Sequence, residues 1–324
     1  MNEWVHLFAG GLLLYLGAEW LVGGAATLAL ILRIPRLLVG LTVVAYGTSV
    51  PEVVVGVDAA ASGHGEVALG NVLGSNLANI GLVLGLAVLV RPARVDGSLG
   101  RRQLPVLVGS TALLPLLLVD DELGRVESIA LVGLAVAYTL SMIRSARTAS
   151  ELFTAKVDAK VTEAAADVAG APRASSIVRA VVTAISGLSF LLLGGHLFVG
   201  ASVDLARSFG FSDRLVGLTL VAVGTSLPEL VTSVLAARRR HTDLAIGNVV
   251  GSNIFNTLLC LGASGLAGPV GAPIGSLAPD FASLYLMTGL LAVIVRRERI
   301  VTRAEGAVAL GLYLALTVGL ASRG

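Results

Sequence analysis

The stretch GLTVVAYGTSVPE, residues 40–52, returns as GLTLVAVGTSLPE at residues 217–229. A second stretch behaves in the same way, because GNVLGSNLAN at 70–79 becomes GNVVGSNIFN at 247–256. At the common offset of 177, 28 of the 48 positions from 38 to 85 are identical. Repetition at one offset over both stretches indicates that the chain consists of two related halves.

The composition excludes a soluble protein. Among 324 residues, 55% are hydrophobic and only 14% are charged, and the mean hydropathy is +0.88. A soluble domain carries roughly 25% charged residues, so this chain has too little polar surface to cover a globule in water. Aromatic residues, at 5%, are too few for base-stacking surfaces. The composition therefore predicts a polytopic membrane protein surrounded by the lipid bilayer, with no nucleic acid and no protein partner implied.

Apolar segments occur along the whole chain. A helix that crosses a membrane needs about 20 mostly apolar residues. On this criterion we predict an all-α polytopic membrane protein with ten transmembrane helices, at about 4–32, 37–62, 66–90, 104–119, 126–143, 178–206, 214–237, 243–266, 277–295 and 304–322.

The ten predicted spans divide equally between the two halves. Residues 1–143 hold the first five-helix repeat and residues 177–324 the second, with a loop at 144–176 between them. Because five is an odd number, the second half enters the membrane from the opposite side, and the repeats are inverted. Inverted repeats are common in secondary transporters, where the binding site lies at the repeat interface near the middle of the bilayer.

Basic residues predict the orientation of the chain. If both termini lie outside, 19 of the 23 Lys and Arg residues lie in cytoplasmic loops. The positive-inside rule requires this bias, and it makes the loop 144–176 cytoplasmic. Arg outnumbers Lys by 21 to 2, which together with the short central loop favours the plasma membrane of a prokaryote. The exceptions are Arg125, Arg207, Arg214 and Arg323.

Both copies of the first repeated stretch combine a proline with polar side chains inside an apolar span. Pro51 has no N–H, so the carbonyl of Gly47 loses its helical partner and must face protein, water or a cation. Thr48 and Glu52 are four residues apart and therefore lie on one face of a helix, with Ser49 beside them. The second half repeats this arrangement with Gly224, Thr225, Ser226, Pro228 and Glu229.

The second repeated stretch adds more oxygen donors, again at a spacing of four residues. Hydroxyls, amide oxygens and carboxylates suit hard cations such as Na⁺ and Ca²⁺, of which Ca²⁺ takes about 6–8 oxygens. Zinc or copper would favour His or Cys, which this cluster lacks. The sequence therefore predicts a cation site formed by the side chains of Thr48, Ser49, Glu52, Ser75, Asn79, Thr225, Ser226, Glu229, Ser252 and Asn256.

The two glutamates indicate what kind of transport this site supports. Glu52 and Glu229 together carry a charge of −2, and each charge at the bilayer centre costs at least about 2.5–3.5 kcal/mol. An empty, ionised site is therefore costly to carry between the two sides of the membrane. A site neutralised by one Ca²⁺, by two Na⁺ or by protons avoids this cost. This asymmetry favours a secondary-active antiporter over a channel. An enzyme is not indicated, because the sequence has no Ser/His/Asp set, phosphate loop or zinc motif.

With GTSVPE and GNVLGSNLAN in one half and GTSLPE and GNVVGSNIFN in the other, the chain resembles the sodium/calcium exchangers of the cation/Ca²⁺ exchanger superfamily over essentially its whole length. The resemblance implies exchange of Ca²⁺ for Na⁺ by alternating access, with both ions as transported substrates and no cofactor. It implies ion sites between helices two, three, seven and eight, and helices one and six that slide against this core. It also implies that the predicted side chains are the ion ligands, joined by the backbone carbonyls of Ala45 and Ala222.

One position departs from the family pattern. Many sodium/calcium exchangers carry Asp where this chain has Asn256, so the predicted site has two carboxylates rather than three. The amide still offers a carbonyl oxygen to a cation. Exchange of Ca²⁺ for H⁺ and K⁺-dependent Na⁺/Ca²⁺ exchange therefore stay open beside Na⁺/Ca²⁺ exchange.

A further acidic residue, Glu19, lies in the middle of the first predicted span. Its partner at the offset of 177 is His196. Two interpretations are open, a proton-sensing pair and a polar contact between helices. We favour the contact, because ionisable side chains within spans usually pair with other groups inside the helix bundle.

Overall fold

The computed structural model describes residues 2–95, 97–161, 174–209, 224–297 and 300–321. Within these ranges the chain is mostly helical, and seven helices are long and apolar enough to cross a membrane. The pair Arg36–Thr48 and Val50–Ala61, bent by 43°, makes an eighth candidate span. A mostly helical, multi-pass membrane protein is thereby confirmed.

The first half begins with one long helix and continues through short helices joined by π-helical turns, in which one extra residue widens the helix. The helices are α1 (Asn2–Ile31), α2 (Arg36–Val39), α3 (Ala45–Thr48), α4 (Val50–Ala61), α5 (Gly65–Ala78), α6 (Leu84–Val90), α7 (Leu104–Leu117) and α8 (Arg125–Val161). The π-helical turns are Gly40–Val44, Asn79–Val83 and Leu99–Gln103, and the two-residue strands are β1 (Ala93–Arg94) and β2 (Glu122–Leu123).

The second half contains helices α9 to α14. They are α9 (Ala174–Ser208), α10 (Leu227–Arg238), α11 (Thr242–Phe255), α12 (Leu261–Ala267), α13 (Ile274–Arg296) and α14 (Arg303–Ala321). A π-helical turn, Asn256–Cys260, joins α11 to α12, and the strands are β3 (Val270–Gly271) and β4 (Ile300–Val301). Helices α10, α11 and α12 begin and end 177 residues after α4, α5 and α6, so these helices recur with the sequence.

Two predicted boundaries differ from the structure, and a third lies outside the described residues. The fourth predicted span, 104–119, contains a helix of only 14 residues, preceded by the π-helical turn Leu99–Gln103. The seventh, 214–237, begins outside the described residues, and its described regular part is α10. Helix α8 continues to Val161, so the first part of the predicted loop 144–176 is helical. The Ala, Lys and Glu residues there favour a helix, which apolar periodicity alone does not detect.

The largest buried apolar cluster lies among the central helices of both halves. It draws on α5, α6 and α7 and on α11, α12 and α13, with Leu69, Val72, Leu107, Ile254 and Leu284 all buried. Its described members lie outside α1 and α9, which pack with α10 in two smaller clusters. The helix pair α1–α9 is therefore packed beside the central helices rather than within them.

Helices α1 and α9 run antiparallel with their backbones in contact. A Cβ atom built on Gly17 would lie 2.4 Å from the amide nitrogen of Leu191, closer than any real side chain comes. Small residues at every seventh position create this approach, as they do between many helices in membranes. The contacts are Gly10 with Gly194, Gly17 with Gly187, and Gly24 with Ala180.

Two short antiparallel ladders join loops of the two halves. Strand β1 pairs with β4, with Ala93 opposite Val301, and β2 pairs with β3, with Leu123 opposite Val270. Since β1 and β3 are 177 residues apart in the chain, each member of this related pair contacts a strand of the other half. The halves are thus connected through loops as well as through the core.

Candidate ion-binding site

Both copies of the GTSxPE motif interrupt a helix at the serine. Ser49 has φ −86° and ψ 9° between α3 and α4, and Ser226 has φ −88° and ψ 6° just before α10. A proline then occupies the first turn of the new helix, where its missing N–H is not needed. Glu52 and Glu229 follow in the same first turns, where the helix dipole favours a negative charge.

The two interruptions meet, and each serine contacts the glutamate of the other half. Ser49 Oγ donates to Glu229 Oε1 at 2.8 Å, and Ser226 Oγ donates to Glu52 Oε1 at 3.4 Å. These pairs join residues that are 180 and 174 positions apart in the chain. Equivalent groups from the two halves therefore form one cluster.

Nine of the ten predicted side-chain ligands are buried. The remaining one, Thr225, is half-buried beside the second interruption, and Ala222 lies outside the described residues. The buried side chains, none more than 2% exposed, are Thr48, Ser49, Glu52, Ser75, Asn79, Ser226, Glu229, Ser252 and Asn256.

Five oxygens of this cluster have no hydrogen-bond partner among the described residues. They are Glu52 Oε2, Glu229 Oε2, Asn79 Oδ1, Asn256 Oδ1 and Ser252 Oγ. A buried acceptor without a donor is rare in folded proteins, because it has lost its hydration without compensation. A cation supplies the charge that these oxygens lack, and ligation by oxygen alone selects hard cations such as Na⁺ and Ca²⁺. The residues present therefore fit such a cation.

The acidic part of the cluster consists of Glu52 and Glu229. Nowhere in the part of the chain that the structure describes do three or more His, Cys, Asp or Glu side chains gather as a metal-binding group. Asn79 and Asn256 contribute amides that carry no charge. The protein charge at the site is therefore −2 when both glutamates are ionised.

Each of the two asparagines begins a π-helical turn, Asn79–Val83 in one half and Asn256–Cys260 in the other. Such a turn inserts an extra residue and changes the direction of the side chains that follow, and it is frequent at functional sites. Sequence reasoning missed both turns, because the apolar pattern of a fully buried helix does not reveal one inserted residue. The same local deformation accompanies the amide in each half.

Polar groups outside the predicted ligand set hold the backbone of the first glutamate. Asn71 Nδ2 donates to the carbonyl oxygen of Glu52 at 3.0 Å, and Cys260 Sγ donates to the same oxygen at 3.1 Å. Both contacts come from segments other than α4. They hold the backbone of Glu52 in place and so position its carboxylate. Sequence reasoning missed both residues. Asn71 belongs to the repeated GNV run, and that recurrence could have identified it.

Two predicted ligands are already engaged in other contacts. Thr48 Oγ1 lies 3.1 Å from the carbonyl oxygen of Val44 and 3.3 Å from Asn248 Oδ1, and its one proton is donated to either acceptor. The carbonyl oxygen of Ala45 accepts the amide of Ser49 at 3.1 Å, which leaves one of its two lone pairs. Asn248, which also donates to Ser233 at 3.0 Å, is the repeat partner of Asn71 and was missed in the same way.

Glu19 lies apart from this cluster. It forms an ion pair with Arg239, the residue after α10. This is a contact between helices, as we favoured from the sequence, and the partner is an arginine rather than His196.

The profile of the sodium/calcium exchanger protein family matches residues 2–144 and 179–321, which is most of the chain. This chain belongs to the sodium/calcium exchanger family. The resemblance noted in the sequence is confirmed, and the exchanger is a multi-pass membrane antiporter of Ca²⁺ and other cations.

Individual relatives match the exchanger over nearly its full length. It is 34% identical over 292 residues to the inner membrane protein YrbG of Escherichia coli, covering 90% of this chain and 88% of the relative. It is 30% identical over 339 residues to the sodium/calcium exchanger MaX1 of Methanosarcina acetivorans, covering 97% of each. A solved structure of the sodium-calcium exchanger NCX_Mj matches with a TM-score of 0.84 and 29% identity over 99% of each chain.

Proposed function

We propose that this exchanger carries Ca²⁺ and Na⁺ in opposite directions and exposes one buried site alternately to the two sides of the membrane. The reciprocal contacts of Ser49 with Glu229 and of Ser226 with Glu52 carry the proposal. They unite two carboxylates in a buried cluster of oxygen donors. A charge of −2 is balanced by one Ca²⁺ or by two Na⁺, so either load can cross the membrane at low cost.

The ligand set of this proposal is the one predicted from the sequence. The burial of nine side chains and the five oxygens without partners among the described residues support it. The carbonyls of Ala45 and Ala222 and the hydroxyl of Thr225 complete it. Ala45 is buried, which supports its carbonyl as a ligand. The Ala222 carbonyl and the Thr225 hydroxyl are included because they occupy the repeat-related positions.

The architecture that we propose has ten transmembrane helices in two inverted repeats of five. The matching bounds of α4 to α6 and α10 to α12 support the repeat, as do the ladders that pair each half with the other. The turn Leu99–Gln103 together with α7 forms the fourth span, and α10 is the described regular part of the seventh. The distribution of basic residues supports external termini and the plasma membrane.

In the proposed cycle α1 and α9 slide past the central helices. Helix α9 lies against both interruptions of the site. A Cβ built on Gly47 would lie 2.9 Å from Leu188 Cδ2, and one on Gly224 would lie 2.7 Å from Val199 Cγ2. Because α9 covers the site in this way and packs outside the main core, its movement changes access to the site without disrupting the core.

The test is Ca²⁺ uptake by the purified protein in proteoliposomes under separate Na⁺, K⁺ and H⁺ gradients. We expect uptake when Na⁺ is loaded inside and diluted outside, with neither K⁺ nor a pH gradient required. Uptake driven by a pH gradient in the absence of Na⁺ would instead assign H⁺/Ca²⁺ exchange, which the amide at Asn256 keeps as the second candidate. Absence of Ca²⁺ movement under every gradient would disprove the proposal.

Adding a third carboxylate should make transport sensitive to voltage. In the wild type the site is neutral with one Ca²⁺ or two Na⁺, so we expect the exchange rate to be insensitive to an imposed membrane potential. In Asn256→Asp the loaded site carries a net charge in at least one direction, and moving one charge through the potential is worth about 2.3 kcal/mol per 100 mV. The measurement is uptake with and without a valinomycin-clamped K⁺ potential. A voltage-sensitive wild type would contradict the charge assignment.

Removing one serine hydroxyl should weaken cation binding without abolishing transport. Ser49→Ala deletes the hydrogen bond to Glu229, and a bond to a charged group contributes about 1.5–3 kcal/mol. We expect the Ca²⁺ concentration for half-maximal uptake to rise about tenfold or more. Ser110→Ala, another buried serine outside the cluster, is the matched control. An unchanged half-maximal concentration in Ser49→Ala would remove this serine from the site.

A further inference from the structure

We propose that the ion pair between Glu19 and Arg239 is a latch that holds α1 against α10 in one conformation of the transport cycle, and that the opposite conformation has no equivalent latch. The inference rests on the proposed alternating-access function and deepens it. The latch makes the two end states of the exchanger unequal in free energy, and two side chains cause the difference.

The latch joins the mobile helix pair to a helix that carries the site. Glu19 lies midway along α1, and Arg239 directly follows α10, the helix that carries Glu229 in its first turn. Arg239 Nη2 bonds Glu19 Oε1, while Glu19 Oε2 is buried with no partner among the described residues. The two side chains are 53% and 26% exposed, respectively, so the pair lies at the edge of the helix bundle and not in its core.

The contacts of α10 place Arg239 on the side of this helix that faces α1. Val231 and Leu235 precede it at intervals of four residues and pack in the same cluster as Leu14 and Ala18 of α1. Arg239 therefore continues the face of α10 that touches α1. Burial and the charge of Arg36 lower the pKa of the neighbouring His241, so this histidine is mostly neutral at neutral pH and does not compete with Arg239 for the carboxylate of Glu19.

Sliding breaks this pair. Displacing α1 along α10 by one helical turn, about 5.4 Å, takes the carboxylate out of ion-pair range of the guanidinium. Glu19 then remains in an apolar span without its cation, which is unfavourable for a charged side chain. The ion pair consequently favours the conformation in which it forms.

The repeat shows that the other conformation lacks such a pair. At the offset of 177, Glu19 corresponds to His196 and Arg239 corresponds to Ser62. The backbone turn itself is shared, since Gly63 and Arg240 both have positive φ, 78° and 65°. When inverted repeats exchange conformations, His196 approaches Ser62, and these two side chains form no ion pair. The difference between the end states therefore lies in side-chain chemistry and not in the backbone.

The proposed orientation assigns a direction to the latch. Arg239 belongs to the basic run at residues 238–240, which we place on the cytoplasmic side. An ion pair there closes the gap between α1 and α10 on the cytoplasmic side and favours access from outside. Breaking it should populate the inward-open state.

The first measurement compares Ca²⁺ activation of exchange from each face of oriented proteoliposomes. Arg239→Gln and Glu19→Gln are expected to raise the apparent affinity on the cytoplasmic face and lower it on the outer face, changing their ratio about tenfold. Arg238→Gln is the matched control, because it removes the same charge from the adjacent exposed position. Reversing the pair, with Glu19→Arg and Arg239→Glu together, should restore the wild-type ratio. A pair that merely stabilises packing would lower thermal stability and leave the ratio unchanged.

A second variant moves the latch to the other half. His196→Glu combined with Ser62→Arg recreates the pair at the repeat-related position. We expect the ratio of affinities to shift in the opposite direction from that in Arg239→Gln. A shift in the same direction, or none, would contradict the inference.

A third measurement needs no transport. Ser233→Cys introduces a thiol on the buried side of α10, while the native Cys260 stays buried. In inside-out vesicles, a membrane-impermeant maleimide should label this thiol faster when Arg239→Gln is also present than with Arg238→Gln. Equal labelling in both backgrounds would overturn the latch. Failure of the wild type to move Ca²⁺ under any gradient would overturn the proposed function instead, and the labelling would still report on the latch.

Discussion

Replacing Glu52 or Glu229 with Gln is expected to reduce Na⁺-driven Ca²⁺ uptake to the level of empty liposomes. Each glutamate supplies half of the charge that balances Ca²⁺, and each carries one buried oxygen without a partner among the described residues. Gln keeps the size and one oxygen but removes the charge, so the loaded site would be positive inside the membrane. A charge there costs several kcal/mol, and each 1.4 kcal/mol slows crossing about tenfold.

A matched control exists for this experiment. Glu66 also lies in the first turn of a helix, α5, but it is exposed and outside the cluster. Glu66→Gln should transport at the wild-type rate. Circular dichroism and elution profiles must show that both site variants fold. Wild-type uptake by folded Glu52→Gln and Glu229→Gln would remove the two glutamates from the transport site.

Replacing Gly187 with Val is expected to destabilise the fold strongly. A Cβ on Gly187 would lie 2.4 Å from the amide nitrogen of Leu21 and 2.7 Å from the carbonyl oxygen of Gly17. Both neighbours are backbone atoms that cannot move without separating α1 from α9. Overpacking a core costs about 1–3 kcal/mol when side chains can adjust, and here only the helices can. We expect aggregation, or a midpoint of thermal unfolding lowered by several degrees.

The control for this prediction lies on the same helix. A Cβ on Gly200 meets nothing within 4 Å among the described contacts, and the residue is exposed. Gly200→Val should therefore unfold at nearly the wild-type temperature in detergent. If Gly187→Val matched it, the close approach of α1 and α9 would not contribute to stability.

Most of the cation cluster could be predicted from the sequence. Glu52 and Glu229 are acidic residues inside apolar spans, and Pro51 and Pro228 mark helix interruptions beside them. These signals are local, and the offset of 177 presents each of them twice. The structure buries both glutamates and brings them within hydrogen-bond reach of the serine of the other half.

Other features could not be predicted from the sequence. They depend on the insertion of a single residue, which the apolar periodicity used to recognise helices does not reveal. The π-helical turns at Asn79 and Asn256 insert one residue into helices that are apolar on nearly every side. Because polar and apolar faces do not alternate in these helices, their periodicity cannot show where a residue is inserted. The extension of α8 to Val161 was missed for a related reason, since a polar helix shows no apolar period at all.

By itself, the sequence determined that this protein crosses a membrane, that it has two related halves, and that oxygen ligands with two carboxylates recur in both. Composition, proline and spacing are properties of neighbouring residues, so the chain displays them before it folds. Only the tertiary structure decided which groups meet: Ser49 with Glu229, Gly17 with Gly187, and Glu19 with Arg239 rather than with His196. The physical reason is that these contacts join residues about 170 to 220 positions apart. Helix packing selects such partners by shape and charge across the bundle, and no local pattern carries that information.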